Sequence, residues 1–150
     1  MFGSENKNAR PFIILLVEDN PDDVLITKKA FKKSKFLHRL YITTDGEETI
    51  TFLNRTGKFR NVPTPDLILL DLNLPKKSGY EVLAEIKNNP NLVHIPVIVL
   101  TISDSEKDII NSYGLYANCF ITKPIDFKKF LENVKIIEDF WLSIVKLPRS

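Results

Sequence analysis

Hydrophobic residues occur along this chain in short runs, and the segments between the runs carry apolar positions at helical spacing. Short apolar runs bounded by turn residues are typical of strands buried on both faces of a sheet. The runs predict five strands, over residues 12–17, 39–43, 67–71, 97–101 and 119–122. Helices are predicted to begin near residues 21, 46, 79, 103 and 126, and 57–65 is predicted to be a loop. Alternating strands and helices indicate a parallel sheet with helices on both faces.

The last predicted helix carries more apolar residues than one packed face requires. One set follows helical spacing and should pack on the sheet: Phe127, Phe130, Leu131, Val134, Ile137, Trp141 and Ile144. Ile136, Phe140 and Leu147 fall outside that stripe. Two interpretations stay open, namely cover for one edge of the core and a face that binds a partner or a second copy.

Length and charge narrow the class of protein. The 150 residues fit one domain, with 43% hydrophobic residues, 27% charged residues and a net charge of +2. This charge is too weak to indicate nucleic acid or a membrane as partner. The basic residues of the first helix fit its solvated side: Lys28, Lys29, Lys32, Lys33 and Lys35.

No signal peptide or membrane span is visible in the sequence, and its one cysteine allows no internal disulfide. We therefore expect a cytoplasmic protein.

Polar residues follow four of the five predicted strands at the point where each strand ends. Glu18 and Asp19 follow the first strand, and Asp71, Thr101 and Lys123 end or follow the third, fourth and fifth. A single acid in such a place often only caps the next helix. The carboxyl ends of parallel strands meet at one edge of a sheet, where ligands bind. The coincidence at four strands therefore favours one polar site.

Carboxylates gathered at one place repel each other unless a cation lies between them. Mg²⁺ prefers oxygen ligands and often combines one or two carboxylates with a phosphate. Asp19 and Asp71 are the candidates for direct ligands, Glu18 for a ligand through water, and Asn73 for a backbone carbonyl ligand. Asp71 is also the candidate nucleophile, which would form an acyl phosphate. The groups that would face the phosphoryl oxygens are Thr101 and Lys123.

These motifs, in this order, resemble a response-regulator receiver domain of two-component signalling. The segments that carry the resemblance are Val17-Glu18-Asp19-Asn20, Leu70-Asp71-Leu72-Asn73-Leu74-Pro75, Val99-Leu100-Thr101 and Ile121-Thr122-Lys123-Pro124. The resemblance covers nearly the whole chain. It implies a flavodoxin-like, doubly wound α/β fold with a five-stranded parallel sheet in the order 2-1-3-4-5. It also implies a single receiver domain over 1–150, with a flexible N-terminus over 1–10 and a C-terminal extension over 145–150.

The resemblance also assigns roles to the site residues. Asp71 would accept a phosphoryl group from a phosphohistidine on a sensor histidine kinase. Glu18, Asp19, Asp71 and the Asn73 carbonyl would serve Mg²⁺, or Mn²⁺ in its place. Contacts to the phosphoryl group would come from Thr101 and Lys123, and Phe120 matches the aromatic switch residue of the family.

Three further segments resemble the small stand-alone regulators that are paired with phytochrome-type histidine kinases. These are Leu72-Asn73-Leu74-Pro75-Lys76-Lys77-Ser78-Gly79, Tyr116-Ala117-Asn118-Cys119-Phe120 and Ile137-Glu138-Asp139-Phe140-Trp141-Leu142. This closer resemblance implies a homodimer formed through helix 4, strand 5 and helix 5. Its candidate interface residues are Tyr113, Tyr116, Phe140 and Trp141.

Two alternatives to a phosphorylated regulator stay open. One is a phosphatase that forms and hydrolyses an aspartyl phosphate, for which Asn73 occupies the place of a second acid and cannot act as general acid or base. The other is a receiver-like binding module without phosphotransfer, against which the complete set of acids, Thr101 and Lys123 argues.

Overall fold

The computed structural model describes residues 10–34, 36–101, 104–112, 119–123 and 125–145. Within these ranges, five strands alternate with five α-helices. The strands are β1 (Phe12–Val17), β2 (His38–Thr43), β3 (Leu67–Asp71), β4 (Val97–Thr101) and β5 (Cys119–Thr122). The helices are α1 (Pro21–Lys32), α2 (Gly46–Asn54), α3 (Gly79–Lys87), α4 (Asp104–Ser112) and α5 (Phe127–Val145). One detail of the prediction is wrong, because the segment 57–65 contains a short 3₁₀-helix, Gly57–Phe59.

The five strands form one parallel sheet in the order β2-β1-β3-β4-β5, which confirms the expected flavodoxin-like topology. Val17 lies opposite both Thr43 and Leu70, and Asp71 lies opposite Leu100. The residues that follow β1 and those that end β3 and β4 therefore come together at one edge of the sheet.

Two apolar layers cover the two faces of the sheet, as the alternation of elements predicts. Side chains of α1 and α5 pack on one face, with Phe31 and Phe130 in edge contact at 6.0 Å between ring centroids. Side chains of α2, α3 and α4 pack on the other, including Phe52, Leu83 and Ile110. The central strands β1 and β3 are buried along their whole length because both faces are covered.

Polar side chains at helix ends fix where the helices begin. The Asn20 side chain caps α1, and Ser78 and Glu81 form a capping box at the start of α3 that the sequence reading did not identify. Asp126 accepts a hydrogen bond from the backbone N–H of Lys129, so the predicted start of the last helix is confirmed. Residue 103, near which the fourth helix is predicted to begin, lies outside the described residues.

Helix α5 places the described part of its predicted apolar stripe, up to Ile137, against the sheet. Phe130, Val134 and Ile137 are buried, whereas Ile136 is 66% exposed, as its position outside the stripe predicts. The side chains of Phe140 and Trp141 lie outside the described part of the chain. In the ranges that are described, no helix has the length and hydropathy that crossing a membrane requires.

Candidate functional site

Asp71 ends β3 with its side chain almost fully buried, at 2% exposure. Its Oδ1 accepts a hydrogen bond from the backbone N–H of Asn73 at 3.1 Å, and its Oδ2 accepts one from Lys123 Nζ at 3.2 Å. The chain after Asp71 turns tightly, since the Gly79 N–H donates to the Leu72 carbonyl at 3.0 Å. A Cβ atom at Gly79 would overlap the backbone of Asp71 and Leu72. This glycine therefore allows the loop to hold the carboxylate at the edge of the sheet.

Glu18 and Asp19 follow β1 and reach the same edge. Glu18 is fully buried, and its backbone N–H donates to the Thr43 carbonyl at 3.0 Å, which extends the pairing of β1 with β2. Asp19 is exposed. One carboxylate oxygen from each of Glu18, Asp19 and Asp71 lies within 4.8 Å of the others. Three close carboxylates, one of them open to solvent, suit a hard divalent cation such as Mg²⁺ or Mn²⁺.

Lys123 follows β5 and places its ammonium group among the acids. Its Nζ lies 2.9 Å and 3.1 Å from the two carboxylate oxygens of Glu18, and 3.2 Å from Asp71 Oδ2. It also lies 3.0 Å from Asp23 Oδ2 in the first turn of α1. The structure thus brings together the four charged residues that the strand ends predict, and adds Asp23 to them.

Asp23 is not among the site residues predicted from the sequence, since an acid in the first turn of a helix is also explained by the helix dipole. A signal was present, because Asp23 shares the spacing of the buried face of α1 with Thr27, Ala30 and Phe31. An acid on the buried side of an amphipathic helix requires a partner, since an unpaired buried charge is costly. Lys123 is that partner.

The pKa values of Glu18 and Lys123 are both raised by their surroundings in the site. Burial and the hydrogen bond with Asp71 raise the pKa of Glu18 to about 7, although Lys123 opposes the shift. Burial alone would lower the pKa of Lys123, but its bonds to Glu18 and Asp23 and the charge of Asp71 raise it overall. Lys123 therefore stays charged, and without a metal Glu18 takes up a proton near neutral pH.

Replacing Glu18 with glutamine is expected to remove a pH-dependent part of the folding stability. The pKa of Glu18 is about 7 in the folded protein and 4.5 for an ordinary glutamate, so folding favours the protonated form. Its contribution to stability is fully present below about pH 4.5 and is lost as the pH rises through about 7. From about pH 5.5 to about pH 7.5, the stability of the wild type relative to Glu18→Gln should fall by roughly 2 kcal/mol.

Urea unfolding at several pH values, without added metal, measures this difference. The matched control is Glu47→Gln, which changes an exposed glutamate in the first turn of α2. Its stability should run parallel to that of the wild type as the pH changes. A parallel course for Glu18→Gln would contradict the shifted pKa.

The remaining predicted site residues are only partly described. The backbone of Thr101 ends β4 next to the strand of Asp71, but its side chain lies outside the described part. Phe120 in β5 is half-buried, and Lys107 Nζ lies 5.7 Å from its ring centroid. Tyr113 and Tyr116 lie outside the described residues. The assigned roles of Thr101, Phe120 and the Asn73 carbonyl stay predictions.

The chain is similar in sequence and structure to known regulators. Residues 14–135 match the response regulator receiver domain. The response regulator Rcp1 of Synechocystis sp. is 51% identical over 140 residues, which are 93% of this chain and 95% of Rcp1. The crystal structure of Mn²⁺-bound Rcp1 superposes with a TM-score of 0.78 at 50% identity and covers 93% of this chain and 100% of that one.

A second solved structure is that of the phosphorylated cyanobacterial phytochrome response regulator RcpA. It has a TM-score of 0.79 and 47% identity, and the match covers 93% of this chain and 100% of RcpA. The family match spans most of the sequence, and the sheet order and the clustered acids agree with it. The chain therefore belongs to the family of response regulator receiver domains.

Proposed function

We propose that this protein is a single-domain response regulator that accepts a phosphoryl group on Asp71 from a phosphohistidine of a sensor histidine kinase. The observation that carries the proposal is the surroundings of the Asp71 carboxylate. It is held by the Asn73 N–H and by Lys123, and it lies within 4.8 Å of carboxylate oxygens of Glu18 and Asp19. The proposed unit is one receiver domain over 1–150, which acts in the cytoplasm together with its kinase.

The chemistry follows from this arrangement. An oxygen of the Asp71 carboxylate attacks the phosphorus and forms a P–O bond. The P–N bond to the histidine breaks, and its electron pair stays on the imidazole nitrogen. The Lys123 ammonium, already 3.2 Å from Asp71, stabilises negative charge on the phosphoryl oxygens, and the Thr101 hydroxyl is predicted to donate to them. A bound Mg²⁺ or Mn²⁺ supplies further charge neutralisation.

The experiment that tests the proposal is intact-mass analysis after incubation with a small phosphodonor and Mg²⁺. One added phosphoryl group is expected, and the protein would catalyse no more than its own phosphorylation and dephosphorylation. A chain that gains none under these conditions, while a known receiver domain does in parallel, would contradict the proposal.

The proposed donor is a histidine kinase of the phytochrome type. The support is the 47% identity to RcpA, a cyanobacterial phytochrome response regulator, across its full length. Phosphotransfer from a purified phytochrome-type kinase should be faster than from an unrelated histidine kinase at equal concentrations. Equal rates would remove the basis for this pairing.

We further propose a homodimer through the face formed by α4, β5 and α5. In the helices that form this face, Ile109 of α4 is 43% exposed and Ile136 of α5 is 66% exposed, and the predicted interface residues Phe140 and Trp141 belong to the same helix as Ile136. Large exposed apolar side chains favour burial against a partner.

Ile136→Asp is expected to shift the protein from dimer to monomer, because a charge placed in an apolar interface must lose its hydration. Light scattering on a sizing column measures the change. Leu25→Asp is the matched control, since Leu25 is 50% exposed on α1 and outside the proposed face. The proposal fails if both variants behave alike, or if the wild type is a monomer at all concentrations.

A further inference from the structure

Asp23 provides a fourth carboxylate at the site, from an element that contributes no other acid to it. Its Oδ2 lies 3.0 Å from Lys123 Nζ, as close as the oxygens of Glu18 and closer than that of Asp71. Both side chains of this ion pair are 12% exposed. An ion pair that is shielded from water is screened less than one on the surface, so it holds its two charged groups together more strongly.

The position of Asp23 is fixed by the first turn of α1. Asn20 Oδ1 accepts hydrogen bonds from the backbone N–H groups of Asp22 and Asp23, at 2.8 Å and 3.3 Å. The Thr27 hydroxyl donates to the Asp23 carbonyl at 2.8 Å. Asp23 therefore presents its carboxylate from a capped helix rather than from a mobile loop.

The three carboxylates around Lys123 differ in what else they can bind. An ammonium group has three donors, and here Glu18, Asp23 and Asp71 surround it. Glu18 and Asp71, with Asp19, also belong to the group of described acids close enough to share a metal. Asp23 does not belong to that group, so a metal held by the other acids would leave its contact with Lys123 in place.

We propose that Asp23 is a positioning residue for phosphotransfer, which holds the Lys123 ammonium beside Asp71 from the side of α1. This inference rests on the proposed function. Once Asp71 carries a phosphoryl group, one donor of Lys123 turns to the phosphoryl oxygens. Asp23 keeps its ion pair with the ammonium, so the ammonium does not have to be oriented anew at each transfer.

The test compares the rate of phosphorylation by a small phosphodonor at saturating Mg²⁺. We expect Asp23→Ala to slow it by about tenfold and Asp23→Asn by about threefold, because the Asn oxygen keeps a partial negative charge beside the ammonium but the full charge is lost. The matched controls are Asp22→Ala and Asp22→Asn, which change the exposed neighbouring acid in the same helical turn. These should stay within about twofold of the wild type.

Asp23→Ala in a Lys123→Met background distinguishes a positioning role of Asp23 from a merely structural one. If Asp23 acts through Lys123, Asp23→Ala has no further effect there. The ¹⁵N NMR signal of the Lys123 ammonium gives a readout that does not depend on activity. It should be visible in the wild type and in the Asp22 variants and be weakened in Asp23→Ala, because exchange with water becomes faster.

The inference is overturned if Asp23→Ala is phosphorylated at the wild-type rate. It is also overturned if Asp23→Ala slows phosphorylation by the same factor in the Lys123→Met background as in the wild type. Thermal unfolding of each variant shows whether it is folded. If Asp23→Ala is not folded, the test rests on Asp23→Asn, which preserves the shape of the side chain. A wild type that gains no phosphoryl group refutes the proposed function itself. A phosphorylated wild type with unaffected Asp23 variants refutes the positioning role alone.

Discussion

Asp71→Asn is expected to abolish the incorporation of a phosphoryl group. The amide has nearly the shape of the carboxylate, but its single oxygen can accept from the Asn73 N–H or from Lys123, whereas the carboxylate accepts from both. It lacks the anionic oxygen that attacks phosphorus, and we expect a loss of at least about 10³-fold in rate. Intact-mass analysis with a small phosphodonor and Mg²⁺ measures it. The fold should persist, because the substitution removes one of several mutually repelling charges.

The matched control is Asp66→Asn, at the opposite end of β3. Asp66 pairs with Arg10 at 2.8 Å and accepts a hydrogen bond from the Ile13 N–H at 2.9 Å, far along the strand from the acidic cluster. This variant should gain a phosphoryl group like the wild type. A stable adduct on Asp71→Asn would place the phosphoacceptor at another residue and refute the assignment.

Burial explains why most of the fold could be predicted from the sequence. The strands β1 and β3 are covered on both faces, so nearly every residue in them is apolar and the runs are unbroken. The edge strand β2 is only partly buried, so its residues are mixed and its apolar run is less distinct. It starts at His38, one residue before the predicted start. The 3₁₀-helix within 57–65 leaves no periodic signal, since it has a single turn.

The site could be predicted in part for a related reason. Strand ends are fixed by the sheet, so Asp71 and Lys123 meet even though 52 residues separate them. Asp23 lies on a helix, where its contact depends on how α1 is rotated against the sheet. A first-turn acid also has the simpler explanation of complementing the helix dipole. The pairing with Lys123 therefore needed the tertiary structure.

Lys123→Met is expected to have opposite effects on phosphotransfer and on metal binding. The methionine keeps much of the length of the side chain but removes the only described cation within 4 Å of the Glu18 and Asp71 carboxylates. Phosphorylation should slow by roughly 10²-fold, because the ammonium no longer stabilises the phosphoryl charge. The affinity for Mg²⁺ should rise by about tenfold, since Lys123 no longer competes for these carboxylates.

Without metal and at alkaline pH, the free energy of unfolding of Lys123→Met should be about 3 kcal/mol below that of the wild type. The reason is that the buried carboxylates of Glu18 and Asp71 lose their counter-ion. The loss should shrink as the pH falls, since loss of Lys123 removes an interaction that favours ionised Glu18 and the residue takes up a proton more readily. Saturating Mg²⁺ should restore much of the stability, because it binds the folded state.

The control is Lys128→Met, at an exposed position of α5. It should change neither the rate of phosphorylation nor the affinity for Mg²⁺. Calorimetric titration with Mg²⁺ measures the affinity of each variant. If Lys123→Met binds Mg²⁺ as strongly as the wild type or more weakly, Lys123 and the metal do not compete for the same carboxylates.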